Sequence, residues 1–114
     1  MHESAMIDSF VEIIEKKVQE YPVNKVIKIK LKVGKLTCLC PGTLAACFET
    51  VAQEKDLLKE TVLEIEEVPL RAKCKGCGQV FLVEENKFFC PFCQHPHIQI
   101  VSGRELFIET VEVE

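Results

Sequence analysis

Apolar residues recur along the first half of the chain at two different periods. Between Ser4 and Tyr21, the residues Met6, Phe10, Ile13, Ile14, Val18 and Tyr21 fall at helical spacing, with Glu12, Glu15, Lys16 and Gln19 on the other side. This predicts one amphipathic helix, with Ser4 as its N-cap and Pro22 and Asn24 as its stop. From Lys25 to Val33 the pattern becomes an alternation, Ile27, Ile29, Leu31 and Val33 on one face and Lys28, Lys30 and Lys32 on the other. That is the signature of a half-buried strand. Gly34 and Pro41 punctuate, and Leu44, Cys47, Phe48 and Val51 mark a second helix running to about Glu54. Thr61 to Val68 reads as a strand with Leu63 and Ile65 inward and Glu64 and Glu66 outward, either facing the lysine row or solvated apart from it. Leu106 to Val113, introduced by Gly103, is a last strand. Within the intervening stretch, Val80 to Val83 and Lys87 to Phe89 read as a hairpin turning at Glu84-Glu85-Asn86.

Four cysteines interrupt this pattern. Cys74-Lys-Gly-Cys77 and Cys90-Pro-Phe-Cys93 are separated by twelve residues, the spacing of a metal-binding ribbon with two knuckles. Each short turn aims two thiolates at one point, and Gly76 and Gly78 permit the backbone angles such a turn needs. A closed all-sulfur tetrahedron suits a structural Zn2+, with iron as the less favoured ion, and leaves no open position for a catalytic water. The expected architecture is therefore α+β: two helices packed on a three-stranded sheet, with an inserted rubredoxin-like zinc ribbon. Residues 1–69 plus 101–114 would form the discontinuous main domain and 70–100 the ribbon.

Composition narrows the class. With 114 residues the chain has room for one modest domain or a small one with a module attached, which excludes a large enzyme core. A ribbon of about thirty residues buries too little apolar surface to fold alone, so metal must supply the difference. The paired spacing and the odd total of seven cysteines point to reduced thiols over disulfides. No run of about eighteen apolar residues occurs, and the chain opens on His2 and Glu3 where a leader would be basic and then apolar, so a cytoplasmic protein without a membrane partner is expected. Net charge is −4, which argues against nucleic acid as the partner. Four bound thiolates and one Zn2+ would take it to about −6.

Met1-His2-Glu3 running into a helix, then Val33-Gly34-Lys35-Leu36, Ile65-Glu66-Glu67-Val68-Pro69, the two cysteine pairs and Gly103-Arg104-Glu105-Leu106 follow in an order that resembles the HypA/HybF family of nickel metallochaperones for hydrogenase maturation. The resemblance covers essentially the whole chain. It implies structural zinc on Cys74, Cys77, Cys90 and Cys93 and nickel at the amino terminus. His2 would be the principal nickel ligand, with the amine of Met1 and the backbone nitrogens of His2 and Glu3 beside it. It further implies a GTPase partner, HypB, and as recipient the large-subunit precursor of a [NiFe] hydrogenase, with urease in some organisms. The expected protein is no enzyme, and is a monomer or weak homodimer.

Elementary coordination chemistry agrees with that implication. An amine, a deprotonatable amide and an imidazole in succession make fused chelate rings for a square-planar ion such as Ni2+, and the first amides of a helix have no intrahelical acceptor to lose. A terminal histidine taken alone is ordinarily just a solvated residue. Glu3 would hold the imidazole or merely favour the helix start. The chain departs from the family pattern after the first strand, where Gly-Glu-Leu and an acidic residue before proline are replaced by Gly34-Lys35-Leu36 and Cys40-Pro41. Cys40, with Cys38 nearby, is a candidate soft ligand in place of the missing acid, or else a small residue at a strand-to-helix turn. Cys47 is expected to pack. His95 and His97 are candidate auxiliary metal residues, or a polar turn leaving the second knuckle.

Two rival readings make different demands. A zinc-ribbon module binding protein or nucleic acid needs no His2 and draws support from Arg71, Lys73, Lys75, Phe81, Lys87, Phe88 and Phe89. A thiol redox enzyme needs a disulfide where the metal would sit.

Overall fold

In the computed structural model, which describes residues 2–114, helix α1 spans Glu3–Val18 and buries Ile7, Phe10, Val11, Ile14 and Val18. The buried stripe is rotated from the expected one. Ile13 is 55% exposed and Tyr21 60% exposed, because this segment carries more apolar residues than one face can bury and packing against the sheet and second helix selects among them. The N-cap is His2 and not Ser4, which lies inside the first turn. His2 has extended backbone (φ −84°, ψ 134°), caps with no side-chain bond, and its carbonyl accepts the Met6 N–H at 3.2 Å. The helix ends at Val18, four residues before Pro22, and a turn follows in which the Tyr21 N–H donates to the Val18 carbonyl at 3.0 Å.

Strand β1 spans Val26–Gly34, followed by a short 3-10 turn and helix α2, Pro41–Ala52. Pro41 occupies the first turn of α2, where a missing N–H costs nothing, and Cys40 is the N-cap. Leu44, Phe48 and Ala52 are buried on its inner face, and Cys47 is half-buried. The remaining strands are β2 (Val62–Val68), β3 (Arg71–Cys74), β4 (Val80–Leu82), β5 (Ile98–Ser102) and β6 (Leu106–Val113). They form two three-stranded sheets, ordered β2-β1-β6 and β4-β3-β5. The chain divides into two compact units, residues 2–32, 39–66 and 107–114 in the first, and 33–38 with 67–106 in the second.

The first unit holds both helices. Ile29 and Leu31 point inward from β1 as alternation requires, but Val26 takes the first core position and Ile27 is 41% exposed. Ile7, Phe10, Val11 and Ile14 of α1, Phe48 of α2 and Ile29, Leu31 and Leu63 of the sheet line one small apolar space. On the other face the lysine row meets glutamates. Lys28 pairs with Glu64 at 2.6 Å, Lys30 with Glu66 at 3.4 Å and Glu109 at 3.5 Å, and Lys32 with Glu66 at 3.4 Å. The Lys25–Glu60, Lys28–Glu64 and Lys30–Glu66 pairs advance together, so β2 runs in the same direction as β1, with α2 as the crossover. At the far end of β1's partner, Lys25 and Glu114 bond through their backbones in both directions, which sets β6 alongside β1.

The second unit is the ribbon. β3 pairs antiparallel with β4 (Ala72 opposite Phe81) and with β5 (Ala72 opposite Ile100), with a register shift between Arg71 and Ala72. Its buried cluster is Leu70, Ala72, Cys74, Phe81, Val83 and Cys90, with Leu36, Ile98 and Ile100 packed against it. The expected hairpin is corrected here. The turn forms, with Glu85 and Asn86 both at positive φ and the Lys87 N–H donating to the Glu84 carbonyl, but residues 87–89 form no strand and β4 takes β3 as its partner. Val33-Gly34-Lys35-Leu36 and Gly103-Arg104-Glu105-Leu106 touch each other in this unit. The Gly34 N–H donates to the Glu105 carbonyl at 2.6 Å and the Leu36 N–H to the Gly103 carbonyl at 2.9 Å. A Cβ on Gly34 would overlap the Gly103 carbonyl and lie 2.7 Å from the Arg104 nitrogen. Gly103 itself has φ +116°, a conformation only glycine adopts freely.

Candidate metal centres

β3 carries Cys74 to its end, and the knuckle turns back at once, with the Gly78 N–H donating to the Cys74 carbonyl at 3.0 Å. The second knuckle repeats this, the Gln94 N–H donating to the Cys90 carbonyl at 2.7 Å. The residue after each pair is left-handed, Gly78 at φ +79° and Gln94 at φ +62°. Aligning the two knuckles would have singled out Gln94, a side-chain residue where its counterpart is glycine. Gly76 has a different purpose from the one expected: its backbone is close to the His95 ring, and a Cβ there would lie 3.0 Å from that ring.

These turns bring all four sulfurs within 4.8 Å of one another. Cys74 and Cys93 approach to 3.5 Å and Cys77 and Cys90 to 3.6 Å, near the ~3.8 Å edge of a tetrahedron with Zn–S bonds of about 2.3 Å. Both close contacts run between knuckles. The Gly76 and Cys77 N–H groups donate to the Cys74 sulfur at 3.2 and 3.3 Å, as amides do to a charged thiolate. The Cys77 N–H, acting against burial, brings the Cys74 thiol down to about 6. At Cys93 the His95 N–H pulls the other way, but the Cys74 sulfur, burial and the remaining sulfurs outweigh it and push the thiol up to about 12. Cys90 is lowered, its burial outweighed by the Cys93 and Phe92 N–H groups. Cys77 is raised, the Gln79 N–H outweighed by burial and the Cys90 and Cys74 sulfurs. Four thiols this close cannot all ionise by themselves, and a dication removes the conflict. The donor set therefore fits Zn2+ in a closed structural site.

His95 and His97 stand beside the second knuckle with ring centroids 5.3 Å apart. The His97 N–H donates to His95 Nδ1 at 3.1 Å, so that nitrogen is occupied and the neutral ring carries its proton on Nε2. The His95 carbonyl accepts from Cys90 and closes the second knuckle, and the His97 carbonyl accepts from Lys75 and ties it to the first.

At the other candidate centre, the Met1 amine lies outside the described residues. His2 is exposed at the N-cap of α1, and its side chain has no hydrogen-bond or ion-pair partner among the described residues. Glu3 reaches the start of the second helix: its Oε2 accepts the Cys40 N–H at 3.0 Å. That bond, then one from the residue's own backbone, holds the Glu3 carboxyl below its usual range. Cys40 is exposed, and the Thr43 side chain, then the Thr43 and Gly42 N–H groups, lower its thiol. Two helix starts are thus joined by one carboxylate, a contact across 37 positions that no local pattern announces. Cys38 is exposed at φ +61°, its Sγ 3.7 Å from the Leu36 carbonyl. Among the described residues the four ribbon cysteines form the one cluster able to hold a metal through three or more side chains. No helix of the described residues is long and apolar enough to cross a membrane.

A two-helix, two-sheet α+β fold with a closed four-sulfur ribbon defines a small protein built around a structural metal site. Residues 1–113 match the family model described as HypA, hydrogenase/urease nickel incorporation, metallochaperone, and the chain belongs to that family. It is 38% identical over 114 residues to a hydrogenase maturation factor HypA of Desulfitobacterium hafniense, covering 100% of this chain and 99% of the relative. It is 32% identical over 108 residues to the factor of that name from Campylobacter jejuni, with 95% of each chain covered. The fold is similar to the solution structure of the Ni metallochaperone HypA from Helicobacter pylori, with a TM-score of 0.67, 22% identity, and coverage of 99% of this chain and 97% of that one. This is a family of maturation factors, not of catalysts.

Proposed function

We propose that this protein binds Ni2+ at its amino terminus and delivers it, in the cytoplasm, to the large-subunit precursor of a [NiFe] hydrogenase, working with the GTPase HypB, and in a urease-containing cell to urease as well. The Met1 amine, the amides of His2 and Glu3 and the His2 imidazole supply four nitrogens for a square-planar ion. The residues 1–69 plus 101–114 form the nickel-binding part. Residues 70–100 form the ribbon, where Cys74, Cys77, Cys90 and Cys93 hold a resident Zn2+ whose role is to fold that segment.

The observation that carries this reading is the contact between Glu3 and Cys40. It anchors the first turn of α1 to the start of α2, beside which His2 stays exposed and free to take cargo. An open site of this kind releases its ion, whereas a closed tetrahedron retains it. The positive end of the α1 dipole opposes a cation by about 0.3–1 kcal/mol, and amide deprotonation on metal binding offsets it. Cys40, exposed and lowered, is the auxiliary ligand we favour. His95 is disfavoured in that role by its occupied Nδ1, and His97 is left as a solvated neighbour.

The deciding experiment is titration of Ni2+ into zinc-loaded protein with a native, untagged amino terminus and into His2→Ala, followed by heat and by the visible absorption of square-planar nickel. One tight site in the parent and none in the variant is the expected result. Equal binding by both, or none by either, would refute the carrier mechanism.

A further inference from the structure

Charge is divided unequally between the two units. The ribbon unit has six lysines and arginines against four glutamates, a formal +2 before metal binding, while the rest of the chain has eight against fourteen carboxylates, a formal −6. Pairing is unequal too. All eight lysines outside the ribbon unit make ion pairs, whereas Lys35, Arg71, Lys73, Lys75 and Arg104, all inside it, make none among the described residues.

Two of these free cations lie at the centre of a sheet face. Arg71 and Lys73 point outward from β3 while Ala72 and Cys74 point to the core. The register sets Lys73 between Val80 of β4 and Gln99 of β5, and Arg71 beside Leu82 of β4, with Val101 at the register shift on β5. Val80, Leu82 and Val101 are 52%, 47% and 49% exposed. The solvated face of an antiparallel sheet is ordinarily polar along its length. Here aliphatic side chains flank a short row of cations that lacks counter-charges.

We propose that this face of the ribbon is a docking surface for an acidic, extended segment of a protein partner, carboxylates two residues apart on Arg71 and Lys73 and aliphatic side chains at the next alternate positions, on the same face of the segment, against Val80, Leu82 and Val101. Carboxylates at that spacing share one face of an extended chain and complete the missing pairs. Apolar flanks and only two central cations favour a peptide over nucleic acid, whose phosphates call for a broader basic surface.

The test uses the full metal-loaded chain, a fluorescein-labelled peptide with valine, glutamate, glutamate and valine at alternate positions and serine between them, its counterpart with lysine for glutamate, and a labelled random-sequence DNA oligonucleotide. Expected are amide shifts centred on β3, β4 and β5 with the acidic peptide, and anisotropy binding that falls as salt rises. Binding should weaken by about tenfold or more in Arg71→Glu/Lys73→Glu, each exposed pair accounting for up to about fivefold. Arg71→Gln/Lys73→Gln should weaken it less, and Val80→Ser/Leu82→Ser should weaken it without changing its salt dependence. Shift mapping on the parent protein keeps the test decisive if a variant loses metal. Equal binding of the lysine peptide, tighter binding of the oligonucleotide, shifts centred elsewhere, or no binding of the acidic peptide would each overturn the proposal.

Discussion

Replacing Gly34 by alanine adds one methyl group at the place where two distant segments of the ribbon unit are closest. The atoms in its way are backbone: the Gly103 carbonyl, which the Cβ would overlap, and the Arg104 nitrogen at 2.7 Å. Ordinary carbon contacts begin near 3.5 Å, so the two segments must separate. Separation breaks or stretches the Gly34-to-Glu105 and Leu36-to-Gly103 bonds at 2.6 and 2.9 Å. Two such bonds at about 1 kcal/mol each, with an overpacking cost of about 1–3 kcal/mol, give a loss of about 3–5 kcal/mol. Small domains have little more than that to lose. Gly42→Ala is the control, since its Cβ would meet nothing closer than the Cys40 sulfur at 3.9 Å and a helical alanine gains about 0.5–1 kcal/mol over glycine. Native-state hydrogen exchange read peptide by peptide is the suitable assay, because a single unfolding free energy is poorly defined for a chain of two units. Protection should collapse across residues 33–38 and 67–106 in Gly34→Ala and hold or rise across α2 in Gly42→Ala. If Gly34→Ala matches the parent within about 0.5 kcal/mol, the steric reasoning fails.

Three further outcomes are expected. Cys74→Ser should lose its metal and leave the ribbon amides unprotected, since a structural Zn2+ supplies about 10–16 kcal/mol in small metal-folded domains. Zinc content and hydrogen exchange check this, and a ribbon that stays protected in excess chelator would contradict it. Gln94→Gly should relieve the left-handed strain at φ +62° and stabilise the second knuckle by about 1 kcal/mol, seen as slower loss of metal to a competing chelator; an unchanged rate counts against it. The Cys40 amide resonance should titrate with the Glu3 carboxylate at a midpoint below the ordinary 4.5. A carboxyl lowered by folding contributes stability that is present above its unfolded pKa and lost as pH falls through the folded value. The tie between the helix starts should therefore be intact at neutral pH and released in acid, and Glu3→Gln should abolish the titration. A midpoint at or above 4.5 would count against the bond.

What could be read from the sequence was whatever a short-range rule encodes. Cys74, Cys77, Cys90 and Cys93 were legible because ligand spacing is itself a geometric constraint, and the lysine and glutamate rows because strands alternate. The buried stripe of α1 was misjudged because Met6, Ile7, Phe10, Val11, Ile13 and Ile14 offer two overlapping faces, and only the neighbours of the helix decide between them. Within the ribbon, β3, β4 and β5 are four, three and five residues long. Strands so short carry too few alternations to establish a period. Glu3 meeting Cys40, and Gly34 meeting Gly103, are contacts between distant positions, fixed by topology and invisible to any local window.

The ion-pair ladder on the first sheet also governs how copies of this protein meet one another. Its basic strand is central and its two outer strands, β2 and β6, carry the acids. A sheet that tried to grow by joining the rim of one molecule to the rim of the next would set Glu64 and Glu66, or Glu109 and Glu112, against the same residues of a neighbour. Like charges directly opposite weaken strand pairing. The arrangement that holds three strands together within a molecule thus resists fibre-like growth between molecules.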